Sequence, residues 1–499
     1  MALRFFYADG QSITFDEFYE IELAKEELSQ ILLRGDGFPP LYSLCLHYWD
    51  MLFGSESGRV LSILMGSAGC LAMYVLGKSV GGRPVGVYAA AITAMLPIHL
   101  FYTSEIRAYP LLLLATTFAL NSLIHAVRHD RWRDWLVFSV MTTIGLHTHY
   151  LFAVFAAMTL LLSLIFVRSI KPFVSGALII CSLIPLVWFC VPSDLAMQQG
   201  WAYRVNFGIG ELAFTYGSFL MGYTLGPSLR QLHVLWTRDA IFYALPWASF
   251  FGIALVGIFF AARKKEIFSH REVPILGVLA FAPLVVGGLC RIAGIGYQVR
   301  YSIWAMVPIV ILIAMFLVSA MEKKAGKLAT AFLFGLFAFA MINRHYVPNY
   351  QNADLATASA RLADPTVSTK HPVLIVSGYM VEPLKFYLAE SEWDLNGIPM
   401  TAAFEDREAE MGILLNKLRE SDSEFWLMYT REFHEDPDGR LMEIIRENSD
   451  VEFISEYAGL KLYRASFRNV EPKTASGGNA GIDKAATGNV GMLADFSSD

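Results

Sequence analysis

The chain has 499 residues, 55% of them hydrophobic and 17% charged, with a mean hydropathy of +0.45. Soluble domains carry about 25% charged residues, so this composition argues against a large soluble enzyme and for a polytopic membrane protein. The net charge of −6 arises mostly in the C-terminal third, and the absence of a strong basic block argues against a nucleic-acid partner.

Residues 1–15 contain no apolar core of the length a cleavable signal needs. Thr14-Phe15-Asp16-Glu17 then reads as a helix start, with Thr14 as N-cap and Glu17 three residues on as a capping-box partner. Adjacent residues cannot share one helix face, so at most one of Asp16 and Glu17 can point into a given site. Pro39 to Gly54 reads as an interfacial helix: two prolines suit a first turn, and His47, Tyr48, Trp49 and Asp50 are too polar for a bilayer centre.

A helix needs about 20 residues to cross the hydrocarbon core. Apolar runs of that kind lie at 59–77, 85–102, 108–126, 173–191, 242–261, 273–290, 301–320 and 327–344. The stretch from Trp135 to Val167 is too long for one span and has cations at both ends, so we read it as two short helices hinged near His147–Tyr150. About ten spans result. Residues 205–225 resemble the 39–54 segment and read as a second interfacial helix.

The loops alternate in charge. Lys78/Arg83, Arg128/Arg131/Arg133, Arg168/Lys171, Arg263/Lys264/Lys265/Arg271 and Lys323/Lys324/Lys327 occupy every second connection. The positive-inside rule makes these cytoplasmic. Residues 1–58, 103–107, 147–149, 192–241, 291–300 and everything after 345 are then external. A chain beginning outside without a signal implies a further helix immediately before residue 1, unless the short tail is translocated by itself.

After Arg344 the composition changes. Val373–Ser377, Phe425–Tyr429 and Leu460–Tyr463 read as short strands between helical stretches such as Glu382–Leu388 and Arg407–Arg419. The expected organisation is a first external loop (1–58), a transmembrane domain (59–344), a small external α/β domain (345–468) and a disordered Gly/Ala/Ser-rich tail (469–499). Cys45, Cys70, Cys181, Cys190 and Cys290 show no CxxC spacing and read as apolar packing residues.

Four polar motifs fall on the external side: Asp16-Glu17, Ser104-Glu105-Ile106-Arg107, His147-Thr148-His149 and Arg300-Tyr301. Ionisable groups at bilayer level are costly, so their gathering at one interface marks a functional site. Taken singly, each has a plainer reading. Glu105 and Arg107 form an ion pair, the histidines at spacing i, i+2 are satisfied hinge residues, and Arg300 snorkels at a helix end.

Together with Phe38-Pro-Pro-Leu-Tyr42, Tyr102-Thr103, Tyr109 and Tyr150, in this order and spacing over residues 12–345, the motifs resemble the GT-C glycosyltransferases that use lipid-phosphate sugars. The most similar members are bacterial relatives of dolichyl-phosphate-mannose protein mannosyltransferases, including lipopolysaccharide-core galacturonosyltransferases and aminoarabinose transferases. In that family a further span precedes the Asp-Glu loop. The resemblance implies a membrane enzyme moving a sugar from a polyprenyl-phosphate donor to a hydroxyl of a lipid, glycan or protein. It would act on the extracytoplasmic face of the inner membrane, with inversion. Asp16 matches the family's catalytic base, and Glu17 would help hold sugar or acceptor. Arg300 would stabilise the leaving lipid phosphate, with Arg107 second, while Tyr301, Glu105 and Tyr109 would line the donor site. His147 and His149 are candidates for substrate or metal contact; the cofactor stays open, with a divalent cation as the candidate. A multi-pass transporter or flippase for a lipid-linked substrate is the alternative. Transporters carry midplane charges on broken helices, often with repeat symmetry, whereas these charges are interfacial and no repeat is visible.

Overall fold

The computed structural model describes residues 1–33, 39–190, 207–234, 237–263, 267–268, 270–364, 370–388, 393–399 and 406–468. Phe38, the 192–206 part of the external loop, Lys264, Lys265 and the 469–499 tail lie outside the described residues.

Backbone polar groups in hydrocarbon must be satisfied within the segment, so the apolar runs fold as helices. Among the described residues seven helices are long and apolar enough to cross a membrane: Ser55–Met95, Tyr109–His129, Lys171–Trp188, Arg238–Ala261, Val273–Ala293, Val299–Ala320 and Lys324–Tyr346. The first has 41 residues, twice what one crossing needs. It bends back at Gly81 and Gly82, where Gly82 adopts a φ of +81°. The two halves then lie so close that a Cβ on Gly86 would sit 2.6 Å from the Tyr74 carbonyl oxygen. This helix therefore supplies the 59–77 crossing and the 85–102 run as far as Met95.

Leu96 is extended, as a residue before proline tends to be, so the second arm stops at Met95 and Pro97–Tyr102 starts afresh as a short helix. The Trp135–Val167 stretch forms two 15-residue helices, Trp132–Leu146 and Phe152–Phe166, joined at His147–Leu151. Gly145 admits the Phe152 ring at this joint; a Cβ there would lie 2.2 Å from it. The fold is the expected polytopic helical bundle with a small C-terminal sheet domain.

The bundle has two chemically distinct ends. At one, the basic loops meet each other: Arg128 pairs with Glu272 at 2.5 Å, Lys171 with Asp130 at 3.0 Å and Arg263 with Glu322 at 2.6 Å. At the other lie the first loop, Glu105, Arg107, His149 and Arg300, covered by the C-terminal domain.

That domain holds a five-stranded sheet of order β2-β1-β3-β5-β4, with β1 (Val373–Ile375), β2 (Leu395–Gly397), β3 (Glu424–Thr430), β4 (Ser449–Tyr457) and β5 (Leu460–Phe467). β1 is parallel to β2 and β3, and β5 runs antiparallel to both β3 and β4. Helices Leu355–Ala363 and Arg407–Ser421 contribute to apolar layers built on Trp426 and Met428 and on Phe425 and Leu427, the alternating residues of β3. The domain grips the first loop directly: Tyr387 accepts a hydrogen bond from the Ile13 amide at 2.8 Å, and the Phe15 and Tyr379 rings stack at 4.0 Å.

The close packing at Gly86 yields a test. Gly86→Val should force the two arms apart and cost about 1–3 kcal/mol, the usual penalty of overpacking. Thermal unfolding in detergent should show a lowered midpoint, whereas Gly210→Ala, with open space around its Cβ position, should change it little.

Candidate active site

The first loop is fastened by a buried acid. Thr14 caps the Phe15–Lys25 helix, and the Glu17 carboxylate reaches back to the Thr14 amide at 3.0 Å. Arg59, at the start of the first crossing, then clamps that carboxylate with two parallel bonds, Nε to Oε1 at 2.7 Å and Nη2 to Oε2 at 2.8 Å. The Ile106 amide donates a further bond to Oε1 at 3.1 Å. Burial would push Glu17 up, but Arg59 and these amides override it and hold the carboxylate below its usual range. Its side chain is fully buried and faces the protein interior.

Asp16 points the other way, as neighbours on a helix must. Its Oδ2 accepts a hydrogen bond from Arg300 Nη1 at 3.1 Å and lies 4.0 Å from Arg107 Nη2. Arg107 also bonds the Asp16 carbonyl and Glu20, both at 3.4 Å. Burial raises the Asp16 carboxyl, yet Arg107, Arg300 and the Tyr379 hydroxyl outweigh it, leaving Asp16 ionised and below the ordinary range.

Asp16 lines a cavity of about 620 Å³ between the bundle and the C-terminal domain. Glu105, Tyr102, Tyr223, Arg300 and Tyr379 share its wall. Burial, with Glu17 nearby, pushes Glu105 up to about 8, so it is mostly neutral at pH 7. Arg300 keeps its Nε buried with no partner among the described residues, which leaves a donor edge for an incoming anion.

Of the sequence-read residues, Asp16, Glu105 and Arg300 line the cavity, while Glu17, Arg107, Tyr109, Tyr301, His147 and His149 stand behind it. His149 is buried, 5.9 Å from the Tyr301 ring, and accepts the Leu151 amide at Nδ1. Burial and the Arg300 and Arg107 charges push it down to about 3, so it stays neutral. His147 is further off and bonds the Ser182 carbonyl at 2.9 Å. Among the described residues no three His, Cys, Asp or Glu side chains are grouped to hold a metal ion. Asp16 and Glu17 are already satisfied by guanidinium groups, so these residues do not fit a divalent cation.

Sequence reasoning missed Arg59, Glu20, Arg230, Arg344, Tyr379 and Arg431. Arg59 stands at a helix start, where an arginine ordinarily signals only snorkelling. The Tyr379 and Arg431 signals are invisible locally, because only docking of the C-terminal domain brings them to the cavity.

The polytopic helical bundle with a small C-terminal sheet domain is a GT-C-like fold. Residues 38–189 match the family described as dolichyl-phosphate-mannose-protein mannosyltransferase. The structure is similar to that of ArnT from Cupriavidus metallidurans bound to undecaprenyl phosphate, with a TM-score of 0.53 and 12% identity over 93% of this chain and 96% of that one. The apo form of the same protein matches with a TM-score of 0.53 and 11% identity, over the same shares. No curated protein sequence matches the chain.

Two measurements test this geometry. Glu17→Gln leaves the buried Arg59 charge unpaired and should cost about 3–5 kcal/mol of stability. A thermal midpoint unchanged from wild type would contradict the clamp. Glu105 is raised in the fold, so the stability it contributes is complete below the ordinary carboxylate range and is lost as pH rises through about 8. Glu105→Gln should therefore flatten the decline in unfolding midpoint between pH 5 and pH 9, and an unaltered profile would remove this assignment.

Proposed function

We propose that the protein is a membrane glycosyltransferase that moves a sugar from a polyprenyl-phosphate donor to an acceptor hydroxyl, with inversion at the anomeric carbon. The observation that carries this reading is the Asp16 carboxylate, ionised and held by arginines in a cavity at the end of a GT-C bundle.

Transfer requires the acceptor hydroxyl to lose its proton as it attacks. Asp16 takes that proton while the new carbon–oxygen bond forms. The bond from the anomeric carbon to the phosphate oxygen breaks, and its electron pair leaves with the lipid phosphate. Charge grows on that phosphate, where a fixed cation helps most, and Arg300 supplies it with its planar fork. Before donor binding Arg300 rests on Asp16; a phosphate that draws it away leaves Asp16 with one cation fewer and a stronger base. Arg107, Tyr109, Tyr301 and His149 hold Arg300 and Asp16 in place from behind. Glu17 is a positioning residue acting through the loop. One displacement assisted by one carboxylate inverts the centre, as in inverting hydrolases.

The basic loops gathered at the opposite end support an arrangement with those loops in the cytoplasm and the cavity on the extracytoplasmic face of the inner membrane. The acceptor is a lipid, glycan or protein reached from that face. The placement of charge at the bundle end, rather than at mid-depth, favours transfer over transport of a lipid-linked substrate.

Asp16→Asn should lower turnover by at least about 10²-fold while the protein still folds; near-normal turnover would remove Asp16 as the base. Because its carboxyl is depressed in the free enzyme, wild-type kcat/KM should persist through mildly acidic pH and fall only below the ordinary carboxylate range. Arg300→Lys should insert normally but use donor less well than wild type, and Arg300→Ala less well again, since an ammonium cannot reproduce two parallel bonds. Equal rates for arginine and lysine would make Arg300 an anchor. For the orientation, a thiol at Asp450 should react with an impermeant reagent added outside intact cells and one at Lys323 should not.

A further inference from the structure

The cavity carries more positive charge than one lipid phosphate requires. Arg230, from the Leu229–Val234 helix, and Arg431, from the turn after β3, line it together with Arg344. Arg230 donates to the Gln351 carbonyl at 2.9 Å and lies against Gly459, where a Cβ would come within 2.2 Å of the guanidinium. Arg431 stacks on the Tyr379 ring, its guanidinium carbon 4.6 Å from the centroid. Its Nε is buried with no partner among the described residues.

Neither arginine has a carboxylate within ion-pair distance among the described residues. The carboxylates of the cavity are engaged elsewhere: Asp16 by Arg300, and Glu211 by the Gly208 amide at 2.9 Å. Glu105 is mostly protonated at neutral pH. Glu432, beside Arg431 in sequence, pairs with Lys461 at 3.6 Å. Burial brings Arg230 down to about 10; the Glu432 carboxylate partly offsets this, and the charges of Arg344 and Arg431 add to the lowering.

The backbone of Arg431 is held at a φ of +53°, one of two positive values among the described non-glycine residues. Such a conformation costs of order 1–3 kcal/mol and gathers at ligand clamps. Tyr379 links this corner to the chemistry, because its hydroxyl faces the Asp16 carboxylate while its ring face carries Arg431. An anion on Arg431 is thus one tyrosine away from the proposed base.

We propose that Arg431 and Arg230 form a second anion site, separate from Arg300, that holds a carboxylate or phosphate borne by one of the two sugars brought together at Asp16. The proposal rests on the glycosyl-transfer reading, and it makes the C-terminal domain part of substrate selection.

The test uses the full chain in lipid nanodiscs and titrates glucose 6-phosphate, glucuronate and glucose, each with and without saturating undecaprenyl phosphate. Both anionic sugars should bind at least about tenfold more tightly than glucose, the scale of one charge-assisted contact, and should do so with undecaprenyl phosphate present. Arg431→Gly and Arg230→Gln should each abolish that preference and leave undecaprenyl phosphate binding unchanged. Glycine suits the left-handed backbone, so Arg431→Gly should melt no lower than wild type, which separates loss of the site from loss of the fold. Repeating the titration with undecaprenyl-phosphate-linked glucose bound distinguishes the sources. Binding that persists assigns the anion to the acceptor, and binding that is blocked assigns it to the donated sugar. Equal binding of the three probes to wild type would overturn the site, as would undecaprenyl phosphate binding that falls in step with probe binding in the variants. Failure of wild type to bind undecaprenyl phosphate at all would count against the transfer reading instead.

Discussion

The buried Arg59–Glu17 pair is the contact on which the rest of the site depends. It joins the first loop to the first membrane crossing and fixes the Ile106 amide in the same cluster. A buried pair of this kind is a poor source of net stability, because two charges lose their hydration. Its value is geometric: with Glu17 locked inward, the neighbouring Asp16 has to face outward into the cavity. The chain thus uses an expensive interaction to aim the residue beside it.

Around that anchor the guanidinium groups are shared rather than duplicated. Arg107 spans Asp16 and Glu20, and Arg300 meets Asp16 from the other side. The arrangement keeps Asp16 ionised despite its enclosure. An electrostatic site of this type needs each cation to be positioned by packing, and aromatic residues behind the cavity supply it. Tyr102 and Tyr223 bond to each other at 2.9 Å, and His149 lies between Tyr109 and Tyr301.

The C-terminal domain does more than cover this end. Its Tyr379 and Arg431 enter the cavity wall, and its Tyr387 and Asp354 bond the first loop at Ile13 and Ser12. Movement of the domain relative to the bundle would therefore alter the site itself. The mixed sheet has β3 at its centre, with apolar layers on both of its faces, and Arg431 follows directly on the end of that strand.

Much of this was legible in the sequence because bilayer physics is strict. Apolar length gave the crossings, the cations at both ends of Trp135–Val167 gave the short helix pair, and the Thr14/Glu17 spacing gave the capping box. β4, with its charged and apolar residues mixed as Ser-Asp-Val-Glu-Phe-Ile-Ser-Glu-Tyr, carried too weak an alternation to be read, and β2 is only three residues long. The site was legible as a set of motifs and not as an arrangement. Asp16 and Glu17 are equivalent as neighbouring letters, and only the clamp from Arg59, 42 positions away, decides which of them faces the cavity. Arg230 and Arg431 were silent for the same reason. By itself the sequence determined where the chain must be helical, since unsatisfied backbone in lipid is forbidden everywhere along it. Which charges meet was decided only by the tertiary structure, because ion pairing depends on distances that chain order does not record.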